Sequence, residues 1–126
     1  MKILVVDDSF TVRRAFWRTI HSIDPLIETI EAENGKAALK ALTMNKVDLI
    51  ITDLEMEGGS GIDFVKHIGS SSLLKNKPII IYSGKDPASP LPENVIYVSK
   101  SEITPVGMEH MIKEIMNKIN NKTKGI

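Results

Sequence analysis

Short apolar runs recur along the chain, separated by segments in which apolar residues recur at helical spacing. Most of these runs are unbroken rather than alternating with polar residues, which is typical of strands covered on both faces of a parallel sheet. We therefore predict five β-strands. They lie at residues 3–6 (ILVV), 27–30 (IETI), 48–52 (DLIIT), 78–82 (PIIIY) and 94–98 (NVIYV).

The segments between and after these runs have the apolar spacing of amphipathic helices. Ser9 is suited to cap the first helix, Asn34-Gly35 opens a second, and Gly61 precedes a third. We interpret the methionines of the last helix as core residues rather than as a binding stripe. The inward positions are Val12, Phe16, Ile20 and Ile23; Ala38, Leu39 and Leu42; Ile62, Val65 and Ile68; and Met108, Met111, Ile112, Ile115, Met116 and Ile119.

Strands that alternate with helices predict a doubly wound α/β fold with right-handed crossovers. The segment between the fourth and fifth strands interrupts this rhythm with Pro87, Pro90 and Pro92. Because each interior proline costs a helix about 3 kcal/mol, we predict that the fourth helix is short or absent. We expect one domain over residues 1–119, followed by a frayed tail over residues 120–126.

Composition narrows the function classes. The 126 residues include 16 basic and 16 acidic side chains, so no net charge favours DNA or an anionic membrane. The absence of cysteine excludes disulfides, thiolate zinc sites and a thiol nucleophile. No apolar run approaches the roughly 20 residues that cross a bilayer, and the first is too short for a signal peptide. We expect a cytoplasmic protein without direct DNA or membrane binding.

Polar side chains follow four of the predicted strands. The first strand ends in Asp7-Asp8, the third in Asp53, the fourth in Ser83 and the fifth in Lys100. Each alone is explained by a turn, a helix cap or a solvated surface position. Together they predict a site, because ligands of open α/β sheets bind beyond the carboxyl ends of the strands.

Electrostatics indicates what this site binds. Carboxylates about 5 Å apart repel by roughly 3 kcal/mol per pair at an effective dielectric near 20. Three of them must take up a proton or hold a cation, and Mg²⁺ suits a few carboxylates with positions left for water and phosphate. With Lys100 and Ser83 nearby, the arrangement favours phosphoryl transfer, with Asp53 as the nucleophile that forms an acyl phosphate.

The ordered set of these residues resembles the receiver domain of two-component response regulators, in particular the single-domain regulators of chemotaxis. The resemblance runs from Lys2 to about Ile119. It is carried by Asp7-Asp8-Ser9, by ENG at residues 33–35, by DLIITDLEM at residues 48–56 with Gly61 beyond it, by Ser83, and by Tyr97 three residues before Lys100.

The resemblance implies a flavodoxin-like fold with strand order 2-1-3-4-5. It also implies that Asp53 accepts a phosphoryl group from a histidine kinase or a histidine phosphotransfer protein. Magnesium would be bound by Asp7 or Asp8, by Asp53 and by the backbone carbonyl of Glu55. Ser83 and Lys100 would contact the phosphoryl group, and Tyr97 would turn inward behind Ser83 as part of a two-state surface.

Several positions depart from the family pattern. Glu57 and Ser101 stand where receiver domains usually have proline. Glu55 and Lys85 occupy positions that influence the lifetime of the phosphoryl group in this family, and an ion pair between them would be worth about 1 kcal/mol or less. A shortened fourth helix implies a different output and dimer surface.

Three functions are compatible with the sequence. The leading one is a stand-alone phospho-acceptor switch, phosphorylated by a kinase or relay protein, that acts on an unknown output protein and dephosphorylates itself only slowly. The alternative is a pseudo-receiver, an interaction module that works without phosphorylation, which the altered loops suggest. An aspartyl-phosphate phosphatase is disfavoured because no cap domain is evident.

Overall fold

The chain folds around a five-stranded parallel sheet. The structure is a computed structural model that describes residues 1–55, 64, 66, 76–84 and 93–124. The strand order β2-β1-β3-β4-β5 and the parallel pairing of all neighbours confirm the flavodoxin-like prediction. The strands are β1 (Lys2–Val6), β2 (Glu28–Ala32), β3 (Leu49–Asp53), β4 (Ile79–Ser83) and β5 (Val95–Ser99).

Helices cover both faces of the sheet, and the described ones are α1 (Phe10–Ile23), α2 (Gly35–Met44) and α3 (Pro105–Lys124). All three begin at side-chain caps, and for α3 the Thr104 hydroxyl accepts a hydrogen bond from the Gly107 amide at 3.0 Å. The Ser9 hydroxyl accepts a hydrogen bond from the Val12 amide at 3.3 Å, and the Asn34 side-chain oxygen accepts one from the Ala37 amide at 2.7 Å. These caps satisfy amides that have no partner within the first helical turn.

The buried apolar residues form two clusters, one on each face of the sheet. Ile3 and Ile51 face the side covered by α1 and α3, whereas Leu4 and Ile50 face the side covered by α2. Successive strand residues point to opposite faces, so an unbroken apolar run supplies both clusters. Met108 and Met116 are buried in the first cluster, which confirms that they are core residues.

The strand and helix limits differ slightly from the predicted ones. β1 ends at Val6 as predicted, β2 continues two residues further toward its carboxyl end than predicted, and β3, β4 and β5 continue one. Asp53 and Ser83 are therefore themselves paired strand residues. The helical backbone of α3 continues past Ile119 to Lys124, although its apolar stripe ends at Ile119. The domain boundary at residue 119 stays a prediction.

Two predicted elements fall on undescribed parts of the chain. Of the helix expected after Gly61, only Phe64 and Lys66 are described, and Phe64 is buried in the α2-side cluster. The segment 85–92, where a short or absent fourth helix was predicted, lies outside the described residues. Within the described part of the chain, no helix has both the length and the apolarity needed to cross a membrane.

The Asn34 cap supports a prediction about stability. Replacing Asn34 by alanine should lower the free energy of unfolding by about 1 kcal/mol, because the Ala37 amide loses its acceptor. Replacing Asn117, an exposed residue within α3, by alanine should raise it by a few tenths of a kcal/mol, because alanine is the better helix former. Urea unfolding of the two variants beside the parent measures both. Equal effects would show that the Asn34 cap contributes nothing.

Candidate functional site

The carboxyl ends of four strands bring the predicted site residues to one edge of the sheet. Asp7 directly follows β1, Asp53 and Ser83 end β3 and β4, and Lys100 directly follows β5. The parallel register aligns these ends, with Asp53 opposite Tyr82 in the neighbouring strand. The convergence expected from the order of strands and polar residues is therefore present.

Three carboxylates form the centre of the site. Asp7, Asp8 and Asp53 each place one oxygen within 4.8 Å of the others. Asp7 and Asp53 are buried, with 2% and 4% of their surfaces exposed, whereas Asp8 is exposed. This donor set is all oxygen, carries three formal negative charges and opens to solvent at Asp8. It fits a hard divalent cation that keeps some of its water, as Mg²⁺ does.

Asp7 is held by its neighbours on several sides. Its Oδ1 accepts a hydrogen bond from the Ser9 amide at 2.7 Å, and its Oδ2 accepts one from the Tyr82 hydroxyl. The Arg13 guanidinium donates to its main-chain carbonyl at 2.7 Å. Burial raises the pKa of Asp7 above its usual range and the charge of Asp53 adds to the rise, while the bonds from Tyr82 and Ser9 oppose it.

Asp53 is bonded through both carboxylate oxygens. The Lys100 ammonium lies 3.1 Å from Oδ2, and the Glu55 amide donates to Oδ1 at 3.1 Å. The backbone of Lys100 is held at this edge of the sheet because its amide donates to the Ser83 carbonyl at 2.9 Å. The ammonium thus neutralises part of the charge on a carboxylate that is almost completely buried.

Ser83 and Tyr97 form the adjoining part of the site. The Ser83 hydroxyl is buried and donates to Glu55 Oε1 at 3.3 Å. The Tyr97 hydroxyl lies 3.5 Å from the Ser83 carbonyl and donates to it. Lys85 lies outside the described residues, so the Glu55–Lys85 ion pair stays a prediction.

Two residues of the site were missed in the sequence. Tyr82 is only the last residue of an apolar run in the sequence, and Arg13 is not among the inward positions predicted for the first helix. The Arg13 side chain is only 14% exposed, and it bonds Glu31 Oε1 at 3.1 Å as well as the Asp7 carbonyl. One signal was available for Tyr82, since strand alternation places the residue before Ser83 on the opposite face of the sheet from Ser83.

Comparison with known sequences points to one family. A family model described as the response regulator receiver domain matches residues 3–100. The chemotaxis protein CheY of Pseudomonas aeruginosa is 33% identical over 85 residues, 68% of each protein. The chemotaxis protein CheY1 of Helicobacter pylori is 40% identical over 82 residues, 64% of this chain and 65% of that protein. The matched segment thus spans about two thirds of the length of these curated relatives.

Solved structures give the same picture. The response regulator TrrA of Thermotoga maritima, solved in complex with Mg²⁺ and BeF, has a TM-score of 0.76 and 29% identity, and the match covers 90% of this chain and 97% of that one. The chemotaxis response regulator CheY4 of Vibrio cholerae has a TM-score of 0.73 and 25% identity over the same shares.

Proposed function

This chain belongs to the response regulator receiver domain family, and from that premise we propose that it is a phospho-acceptor switch in which Asp53 receives the phosphoryl group. One observation carries the proposal. The Asp53 carboxylate is bonded to the Lys100 ammonium at 3.1 Å and also lies within 4.8 Å of the carboxylates of Asp7 and Asp8. A nucleophile, a cation and a cation-binding acid pair are thus assembled at one point.

The proposed Mg²⁺ site lies among the carboxylates. The carboxylates of Asp7, Asp8 and Asp53 and the main-chain carbonyl of Glu55 would hold Mg²⁺. When bound, Mg²⁺ neutralises phosphoryl oxygens and so favours attack by an anionic carboxylate. The Glu55 amide already donates to Asp53 Oδ1, which keeps the Glu55 peptide next to the acid cluster.

The transfer itself requires only one carboxylate oxygen. An oxygen of Asp53 forms a bond to the phosphorus of a phosphohistidine, the phosphorus–nitrogen bond breaks, and the imidazole keeps the electron pair and takes a proton from solvent. Lys100 is placed to stabilise the charge on the phosphoryl oxygens, because its ammonium already contacts Asp53 Oδ2.

The switch would start at Ser83. Its hydroxyl donates to Glu55 before phosphorylation, and a phosphoryl oxygen on Asp53 would compete for that bond as a second charged acceptor. Because Tyr97 donates to the Ser83 carbonyl, a movement of Ser83 would shift Tyr97 and with it the surface formed by β5. Glu55 and Lys85 would tune how long the phosphoryl group persists.

The partners follow from this chemistry. A histidine kinase or histidine phosphotransfer protein would donate the phosphoryl group, and an output protein would read the changed surface. We propose a cytoplasmic location and no catalytic turnover beyond slow self-dephosphorylation, since the phosphoryl group stays on the protein as the signal.

The direct test is phosphorylation by a small donor. Incubation with acetyl phosphate and Mg²⁺ should raise the intact mass by one phosphoryl group, and chelation of the metal should prevent it. Treatment with hydroxylamine should remove the group, because acyl phosphates react with this nucleophile. A chain that binds Mg²⁺ but never gains a phosphoryl group would favour the pseudo-receiver alternative.

A further inference from the structure

Tyr82 lies at the contact between the apolar core and the acid cluster. It precedes the last residue of β4, and only 3% of its surface is exposed. Its ring packs against the ring of Phe16 on α1, with the centroids 4.8 Å apart and the planes tilted by 44°. The hydroxyl at the far end of the ring reaches Asp7 Oδ2.

Core packing alone does not explain this hydroxyl. A phenylalanine would make the same ring contacts, whereas a buried hydroxyl needs a hydrogen-bond partner to offset the loss of water. Its partner is the buried carboxylate of Asp7. Burial raises the pKa of the Tyr82 phenol, so the hydroxyl stays a donor.

The hydrogen bond from the Tyr82 hydroxyl restricts which lone pairs of the Asp7 carboxylate can bind a cation. The Ser9 amide occupies one lone pair of Oδ1, and the Tyr82 hydroxyl occupies one lone pair of Oδ2. Each oxygen retains a lone pair, and the carboxylate plane is fixed because it is held at both oxygens. The Lys100 ammonium lies 5.1 Å from the centre of the Tyr82 ring, so the ring also adjoins the cation that pairs with Asp53.

We propose that Tyr82 is a positioning residue that sets the Mg²⁺ affinity of the site by orienting Asp7. Partners of metal-binding carboxylates fix the ligand and preserve its charged form, and their loss typically weakens metal binding by about 10–100-fold. The inference rests on the proposed function only in taking Mg²⁺ as the cation. It concerns binding of the metal, not transfer of the phosphoryl group.

Calorimetric titration with Mg²⁺ tests the proposal on the intact chain. Tyr82→Phe should raise the Mg²⁺ dissociation constant about tenfold, because it removes the hydroxyl and keeps the ring. Thr52→Val is the control: it also removes a buried hydroxyl at this end of the sheet, one that donates to the Asp53 carbonyl at 3.0 Å, and its affinity should stay within about twofold of the parent. An affinity of Tyr82→Phe equal to or tighter than that of the parent would overturn the proposal.

Acetyl phosphate labelling at saturating Mg²⁺ separates this inference from the proposed function. Tyr82→Phe should reach the same extent of labelling as the parent, but at a higher Mg²⁺ concentration. If the parent binds Mg²⁺ and is never labelled, the proposed function fails. The role of Tyr82 is then still decided by comparing the Mg²⁺ dissociation constants of Tyr82→Phe and the parent. If the parent is labelled and both proteins bind Mg²⁺ alike, only the role of Tyr82 fails. A parent that binds no Mg²⁺ overturns both.

A second measurement covers the case in which Tyr82→Phe does not fold. In the parent labelled with carbon-13 tyrosine, the Cζ resonance of Tyr82 should move during the Mg²⁺ titration and saturate with the occupancy of the site. The spectrum of Tyr97→Phe assigns the resonance, because the chain has two tyrosines. A Tyr82 resonance that does not move would contradict the inference.

Discussion

Replacing Asp53 by asparagine should abolish phosphorylation by acetyl phosphate. The amide is a far weaker nucleophile than the carboxylate and cannot form an acyl phosphate. The substitution also removes one of the three charges that would hold Mg²⁺ and the anionic partner of Lys100. Intact-mass measurement over a time course should detect no added phosphoryl group under conditions that label the parent fully.

Asp48→Asn is the matched control for this experiment. Asp48 immediately precedes β3, at the opposite end of the strand from Asp53, and its Oδ2 accepts a hydrogen bond from the Lys2 amide at 2.9 Å. An asparagine oxygen can still accept that bond, so the variant should fold and be labelled like the parent. Full labelling of Asp53→Asn would place the phosphoryl group elsewhere and refute the assignment of the nucleophile.

Replacing Asp8 by asparagine should have the next largest effect, on Mg²⁺ binding. The loss of a charged ligand should weaken the affinity by about 100-fold or more, since losing even an outer partner of a metal ligand costs about 10–100-fold. Without Mg²⁺ the same variant should melt at a higher temperature than the parent, because one carboxylate of a mutually repelling set is gone. The order of the two melting temperatures should therefore reverse when Mg²⁺ is added: the variant melts higher without the metal, and the parent melts higher with it.

The control for Asp8→Asn is a charge removed far from the site. Glu114→Gln changes the net charge by the same amount at an exposed position of α3, and it should leave the Mg²⁺-dependent rise in melting temperature unchanged. If Asp8→Asn keeps the full Mg²⁺-dependent stabilisation, Asp8 is not a ligand. If it melts lower than the parent without Mg²⁺, the three carboxylates do not repel as their spacing implies.

The strands and the location of the site could be predicted because both depend on local order in the sequence. A strand buried on both faces needs an unbroken apolar run, and residues 3–6 and 49–51 show this. Parallel strands all end at one edge, so residues that follow them must meet there whatever the details of packing. That rule was enough to bring Asp7, Asp53 and Lys100 together.

The limits of the elements were less predictable. The apolar runs mark where hydrophobic side chains begin and end, but burial and backbone pairing both continue beyond them. Asp53 and Ser83 were expected just after their strands and are instead the final paired residues, opposite Tyr82 and Ser99. Likewise, α3 continues beyond its apolar stripe, because main-chain hydrogen bonds extend a helix that packing has already formed.

The sequence by itself determined the fold class, the edge of the sheet at which the site lies and the acids that compose it, because these depend on periodicity and on which residues follow each strand. Only the tertiary structure decided which groups hold those acids. The Tyr82 hydroxyl reaches Asp7 from β4, with β3 between the two strands, and the Arg13 guanidinium reaches it from α1. Ser83 is directed at Glu55. Such contacts depend on the length and direction of side chains on different elements, about which the hydrophobic pattern carries no information.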